Sequence, residues 1–265
     1  MKFLLIRFSP VGDIVLASPL IRSLRKQFPE ATIHFLTDDS CRSAVEFNPS
    51  IDKLHVLAHS PELMIEELKS EEYDHIIDLQ ANDKSALVAR SLHKKPFSVR
   101  RHSFRKKLLT SFKINLLPRE HVVEQYFKAV ESLDVKIDTV GLEYFIADSE
   151  ETKKNDIPAS HYAGYIACAI GAEYNTKKWP LHKWKEFCAQ LDHPIILLGS
   201  REDAAAGKEI ASADDIKIYN ACGKFSLNEM ADLTRKAKLV VCNENDSMQI
   251  AAAYKRPIVS IWGNT

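Results

Sequence analysis

Glycine is scarce in this chain, with eight in 265 residues. No two fall close enough together to build the G-x-G-x-x-G turn of a dinucleotide site or the phosphate loop of a P-loop NTPase, and both classes are excluded by signature. The H-E-x-x-H helix of a zincin and the G-x-S-x-G elbow of an α/β-hydrolase are missing too. Cysteine is sparse and scattered: Cys41, Cys168, Cys188, Cys222 and Cys242 are odd in number and form no C-x-x-C pair. Neither a disulfide framework nor a thiolate zinc site is indicated, and the five read as reduced, mostly buried thiols. No apolar run approaches the roughly 20 residues that span a bilayer, and the charged N-terminus lacks a signal-peptide core. The expectation is a cytoplasmic protein.

Net charge is also absent, 36 basic against 36 acidic residues, but its distribution is uneven. From Lys84 to Arg119 there are eleven Lys or Arg and no Asp or Glu. Lys94, Lys95, Arg100, Arg101, Arg105, Lys106 and Lys107 lie there with Phe97, Phe104 and Phe112 interleaved. Such a patch is either a solvated face or a surface for a phosphorylated lipid. Nucleic acid is the weaker reading, because the rest of the chain is acidic and holds no recognisable binding module.

What the sequence has in abundance is alternation. Apolar strand patterns recur at 2–8, 31–37, 53–57, 74–79 and 96–100, separated by helical patterns at 14–28, 61–70 and 83–93, with helical spacing again over 125–133. After a polar stretch at 148–160, which reads as a linker or the opening of a second unit, strands are predicted near 163–169, 194–199, 216–220, 238–242 and 257–262. Helices are predicted near 181–191, 202–212, 226–236 and 246–254. Short apolar runs buried on both faces and joined by helices predict an α/β chain of two doubly wound, Rossmann-like domains, 1–150 and 151–265. A chain of 265 residues with 45% hydrophobic content is long enough for two cores.

Open α/β sheets bind ligands beyond the carboxyl ends of their strands. Three segments are predicted there. Arg7-Phe8-Ser9-Pro10-Val11-Gly12-Asp13 carries one carboxylate at the end of the first strand, although a turn glycine followed by an N-cap aspartate explains it equally. Thr176-Lys177-Lys178-Trp179-Pro180 presents two cations, or merely an exposed basic turn before a helix opened by Pro180. Asn243-Glu244-Asn245-Asp246-Ser247-Met248-Gln249 opens a helix whose N–H groups favour an anion, or whose acids simply complement the dipole.

Taken together, these three segments resemble the ADP-heptose:lipopolysaccharide heptosyltransferases, glycosyltransferase family 9, from Met1 to Ile261-Trp262-Gly263-Asn264-Thr265. The resemblance implies the GT-B fold, two domains facing across a cleft, with an N-terminal acceptor domain and a C-terminal donor domain. It implies inverting, metal-independent transfer of heptose from ADP-heptose, a co-substrate rather than a cofactor, to the lipopolysaccharide inner core. No D-x-D pair ends a strand, and Asp38-Asp39 reads as a helix cap. Asp13 matches the family's proposed base. Thr176, Lys177, Lys178 and the 244–249 helix start match its donor-diphosphate residues, and Glu202 or Asp203 is assigned to donor nucleoside or sugar. Ser9, Gly12, Gln80, Asn82, Lys84, Arg100, Arg101 and Arg105 are assigned to an anionic lipopolysaccharide core or lipid A acceptor, with peripheral contact at the inner face of the inner membrane.

The family pattern is also broken. Against Asn-Asp-Thr/Ser-Gly-x-x-His, Glu244 replaces Asp, Asn245 replaces Thr, Asp246 replaces Gly and Gln249 replaces His. Against Asp-Leu-His-x-Asn-x-Arg-Ser, Gln80 replaces His and Lys84 replaces Arg, keeping the charge but losing its bidentate fork. His121-Val122-Val123-Glu124-Gln125-Tyr126 approximates His-Val-Val-Asp-Arg-Tyr. The second domain is expected to be truncated, because family members continue past a strand like Ile258–Trp262. Two other functions stay open on this reading: a degenerate, non-catalytic glycolipid-binding protein, and a transferase using a different nucleotide sugar.

Overall fold

The structure, a computed structural model, describes residues 1–57, 61–100 and 120–263. The chain forms two compact units, Met1–Gly141 and Leu142–Thr265, each built on a five-stranded, wholly parallel sheet.

In the first unit β1 (Lys2–Ile6), β2 (Thr32–Asp38), β3 (Lys53–Leu57), β4 (His75–Asp78) and β5 (Phe97–Ser98) lie in the order β3-β2-β1-β4-β5. Phe3, Leu4, Leu5 and Ile6 are wholly buried, as a central strand covered on both faces requires. The covering helices are α1 (Val11–Gln27), α2 (Pro61–Ser70), α3 (Asp83–Ser91) and α4 (Val122–Ala129), with α4 packed on α1.

Helix α1 begins earlier than the sequence suggests. Pro10 is its N-cap residue, and the Pro10 carbonyl accepts from the N–H groups of Asp13 and Ile14, both at 3.2 Å. Gly12 and Asp13 are therefore inside the first turn, not a turn glycine and a cap. Pro19, mid-helix, cannot donate to the carbonyl of Val15, and the Ser18 hydroxyl takes that acceptor instead at 2.7 Å. Nor does Asp38 cap by its side chain the short 3₁₀ turn Asp39–Ala44 that follows it. Its carboxylate accepts from Lys84 Nζ at 2.5 Å. Helix α4 also starts ahead of the predicted 125, because His121 and Glu124 form a reciprocal capping box.

The end of the first unit is clipped to α1 by Arg22. The guanidinium donates to both oxygens of Asp138, at 2.9 and 2.5 Å, and to the carbonyl of Gly141 at 2.9 Å. Hydrogen bonds from Arg22 and Lys26 outweigh burial and hold the Asp138 carboxyl well below the ordinary range.

The second unit repeats the topology. β6 (Ile166–Ala169), β7 (Ile195–Leu198), β8 (Ile218–Asn220), β9 (Leu239–Asn243) and β10 (Ile258–Ile261) lie in the order β10-β9-β6-β7-β8, so the first strand is again central and the fourth lies on its other side. Between them run α5 (Leu181–Gln190), α6 (Ala204–Ala211), α7 (Leu227–Lys236) and α8 (Asp246–Ala253). Alternate residues of β6 enter separate cores: Ala167 and Ala169 with Leu233 and Val240, Ile166 and Cys168 with Trp184 and Cys188. All five cysteines are buried and free. Strand β10 is a sheet edge, and Val259 and, just beyond it, Trp262 are exposed.

The polar stretch 148–160 belongs to the second unit, bound to α7 around one buried carboxylate. Asp232 accepts from the N–H and hydroxyl of Thr152 at 2.8 and 2.6 Å, from Lys236 at 2.6 Å, and from Arg235 at 2.6 and 3.0 Å. Burial alone pushes its carboxyl up, but the bonds from Lys236, Thr152 and Arg235 outweigh burial and hold it below the usual range. A folded-state value below the unfolded one of about 3.9 contributes stability that is complete above that pH and lost as pH falls through the folded value. Asp232→Ala should lower the unfolding free energy by about 2–3 kcal/mol at neutral pH. In thermal melts it should also show a shallower loss of Tm below about pH 4 than the parent chain.

Candidate functional site

In each sheet the strand order reverses once, between β1 and β4 and between β6 and β9. The loops leaving the carboxyl ends of those strands diverge, and such a point is where open α/β sheets hold ligands. The segments singled out by sequence lie at these two edges.

At the β1–β4 edge Arg7 is the organising residue, and the sequence analysis gave it no role. Its guanidinium donates to the carbonyl of Leu79 at 2.6 Å, tying the end of β1 to the loop after β4, and with its other terminal nitrogen it pairs with the Asp13 carboxylate. Arg7 is nearly buried, while Asp13 keeps 29% of its side chain exposed. Asp13 also sits in the first turn of α1, where a carboxylate is favoured by the helix dipole. The Tyr126 hydroxyl donates to the Asp13 carbonyl at 3.3 Å, fixing the turn from α4.

The loop after β4 is built around Asp78, a second residue without an assigned role. Its carboxylate accepts from the N–H groups of Gln80 and Ala81 at 3.0 and 2.8 Å and from the Ser85 hydroxyl at 2.8 Å. These bonds hold Ala81 at φ 48°, a left-handed conformation that costs an L-residue about 1–2 kcal/mol. Gln80 accepts from the N–H groups of Phe8 and Ser9 at 2.9 and 3.3 Å, so this replacement for the family histidine staples the two loops together. Asn82 caps α3 in a capping box with Ser85. Lys84 pairs with Asp38 and lies 4.4 Å above the Phe8 ring. Arg100 is exposed; Arg101 and Arg105 lie outside the described residues.

At the β6–β9 edge the organiser is Asn243, wholly buried at the end of β9. Its amide donates to the carbonyl of Ile170 at 2.7 Å, and its oxygen accepts from the N–H of Trp179 at 3.1 Å. Asn245 is the N-cap of α8, accepting from Ser247 N–H at 3.1 Å and donating to the Gly171 carbonyl at 2.7 Å. The 176–179 loop is thereby held against the start of α8. Thr176 is exposed and lies against Gly263, where a Cβ would come within 2.3 Å of the Thr176 carbonyl oxygen.

Both cations of this loop are matched by carboxylates. Lys177 Nζ is 2.8 Å from Glu244, and Lys178 Nζ is 3.0 Å from Asp203. Asp203 is buried and also accepts from the N–H and hydroxyl of Ser200 at 3.0 and 2.9 Å. Burial pushes its carboxyl up, yet the bonds from Lys178 and Ser200 prevail and hold it low. A Cβ at Gly171 would fall 2.5 Å from the Asp203 carboxylate, so glycine is what lets the acid lie against the end of β6. Glu202 points into solvent, Asp246 and Ser247 are half-buried in the first turn of α8, and the Gln249 side-chain oxygen is buried without a hydrogen-bond partner among the described residues.

The sequence profile of glycosyltransferase family 9 (heptosyltransferase) matches residues 63–265. The chain belongs to this family. Relatives also align over the N-terminal segment that the profile omits: the lipopolysaccharide heptosyltransferase 1 of Campylobacter coli is 25% identical over all of this chain and 84% of its own length. The lipopolysaccharide heptosyltransferase 2 of Escherichia coli K12 is 27% identical over 99% of this chain and 83% of its own length. Among solved structures, the family 9 glycosyltransferase of Veillonella parvula superposes with a TM-score of 0.80 at 21% identity, covering 98% of this chain and 79% of that one. The E. coli ADP-heptose heptosyltransferase II does so at 0.79 and 24%, covering 100% and 86%. The two parallel sheets are thus those of the GT-B heptosyltransferase structures.

In this family 9 chain the buried amide of Asn243 joins three segments, so Asn243→Ala should cost about 2–4 kcal/mol by stranding the Trp179 N–H and the Ile170 carbonyl. Urea unfolding measures that loss, and faster proteolytic cleavage near 176–179 in the folded variant would report the freed loop.

Proposed function

We propose that this family 9 glycosyltransferase moves heptose from ADP-heptose to the lipopolysaccharide inner core, with inversion and without a metal, the first unit taking the acceptor and the second the donor. The observation that carries the reading is the Arg7–Asp13 pair: a half-exposed carboxylate held in one orientation at a strand-order reversal, on a helix turn rather than a mobile loop. The names of the relatives support the substrate class.

In this reading the acceptor hydroxyl attacks the anomeric carbon as Asp13 accepts its proton. The new C–O bond forms on the face opposite the leaving group, and the bond between the anomeric carbon and the phosphate oxygen breaks with its electron pair going to ADP. The charge that gathers on the diphosphate is met by Lys177 and the positive end of the α8 dipole. The diphosphate must first take Lys177 from Glu244. The basic stretch 84–107 is assigned to acceptor phosphates at the inner face of the membrane.

The same salt bridges favour a second reading. Lys177 and Lys178 are offset by Glu244 and Asp203, and Asp246 adds a third carboxylate where the family has glycine, so ADP-heptose meets a weakened anion site. Donor binding is then lost, or redirected to a less anionic nucleotide sugar.

Calorimetric titration with ADP separates the readings. Under the first, the parent chain binds ADP, Glu244→Gln tightens binding by roughly tenfold as one like charge is removed, and Asp13→Asn leaves the ADP affinity within about twofold while kcat falls by about 10²–10⁴. Absence of ADP binding until Asp246→Gly and Gln249→His are introduced together would support lost donor binding instead. An unchanged kcat in Asp13→Asn would remove it as the base.

A further inference from the structure

The amino ends of the strands in the first unit, opposite the Asp13 edge, hold a polar cluster that the transfer reaction does not use. His34 on β2 and His55 on β3 are both buried. Glu71 and Tyr73 come from the turn between α2 and β4, where Glu72 at φ 53° takes a strained left-handed conformation and leaves both neighbours against the histidines. Nδ1 of His34, Nε2 of His55 and the Tyr73 oxygen form a triangle with sides of 3.1, 3.0 and 2.9 Å. The Glu71 carboxylate lies 3.9 Å from Nδ1 of His34. Donor atoms of His34, His55 and Glu71 all fall within 4.8 Å of one another, the one such group of three among the described residues.

Proton accounting shows what this triangle lacks. Glu67 lies 3.0 Å from Nδ1 of His55, out of line for a full hydrogen bond but close enough to favour the proton on that nitrogen. Nε2 of His55 then faces the triangle as a bare lone pair. The Tyr73 hydroxyl and Nδ1 of His34 bring at most two protons to three close contacts, so one contact has no proton of its own. A cation at the centre would satisfy all the converging lone pairs. A tetrahedral zinc with bonds of about 2.0–2.1 Å separates its ligands by about 3.3 Å, close to the observed sides.

His34, His55 and Glu71 are also in the protonation states that a metal requires, while burial raises the Tyr73 hydroxyl, which stays protonated and would close the site as a neutral oxygen. Burial holds the His34 imidazole down to about 4 and lowers that of His55, so both are neutral at neutral pH. Hydrogen bonds from Lys53 and Lys2 hold Glu71 at about 2, ionised. Two imidazoles and one carboxylate suit zinc better than magnesium or calcium, which prefer all-oxygen sites. Glu67 stands behind His55 as an outer carboxylate, the usual support for a metal-bound imidazole.

We propose that His34, His55 and Glu71 bind a zinc ion, closed by the Tyr73 oxygen, as a structural site remote from the Asp13 edge. Lys2 is the one competitor that must move: its ammonium is 2.9 Å from the same Glu71 oxygen, and at 30% exposure it can withdraw into water. Lys53 bonds the other oxygen at 2.6 Å and can stay.

The test is titration of the chelator-treated full chain with Zn(II) by calorimetry, with Co(II) by visible absorption, and with Mg(II) as control. The expected result is one zinc per chain at micromolar affinity or tighter, tetrahedral Co(II) bands that zinc abolishes, a zinc-dependent rise in Tm, and no response to magnesium. Glu67→Gln, which removes no ligand, should weaken zinc about 10–100-fold, Lys2→Met should tighten it, and His55→Gln should abolish the cobalt bands. Circular dichroism verifies the fold of each variant. Absence of a zinc-dependent Tm shift, or zinc affinity indifferent to Glu67→Gln and Lys2→Met, overturns the proposal.

Discussion

A parallel sheet exposes neither face to water, so the chain that builds it must lay helices on one side and then on the other. That requirement forces the strand order to reverse once in each unit. At the reversal, the loops from two neighbouring strands part, and their backbone groups have no sheet partner beyond the last residue. Buried side chains fill that role here. Arg7 and Asp78 do so between β1 and β4, and Asn243 does so between β6 and β9. The candidate site is therefore a consequence of covering the sheets: the same side chains that satisfy the parting backbones hold Asp13 and Lys177 where a ligand would arrive.

Electrostatic matching governs both edges. Arg7 meets Asp13, Lys84 meets Asp38, Lys177 meets Glu244, and Lys178 meets Asp203. None of the eight side chains is fully exposed, and the most enclosed members, Arg7 and Asp203, would be expensive to leave without partners. Matching at this scale stabilises the loops in the absence of ligand. It also means that an arriving anion gains only the difference between its own attraction for a lysine and that of the carboxylate it displaces.

The alternation of strands and helices was legible because a strand buried on both faces must be a short apolar run, and Lys2–Ile6, Ile166–Ala169 and Ile195–Leu198 are such runs. The positions of Asp13, Lys177 and Glu244 at strand ends followed from the same pattern. Less legible was anything decided by a contact across sequence. Pro10 opens α1, and so puts Gly12 and Asp13 inside it, because its carbonyl accepts from two later N–H groups. The polar stretch 148–160 reads as a linker or the opening of a second unit, and only Asp232, far along the chain, shows what holds Thr152. Asp38 turns from helix cap to salt-bridge partner because Lys84, on another element, reaches it. Arg7 stood in the quoted segment without a role, since nothing local to it reveals the carbonyl of Leu79.

The departures at the start of α8 gain meaning from geometry. Glu244 is no neutral substitute for the family aspartate, because its longer side chain reaches Lys177 and forms a 2.8 Å pair. Asn245, where the family pattern has threonine, caps α8 by accepting from Ser247 N–H and donates to the Gly171 carbonyl. Gln249 brings a side-chain oxygen that is buried with no hydrogen-bond partner among the described residues, an arrangement that costs about 1–3 kcal/mol unless something donates to it. A ligand hydroxyl or amine would relieve that cost, and a phosphate oxygen, itself an acceptor, would not. At Gln249 a hydrogen-bond donor is therefore favoured over a phosphate oxygen.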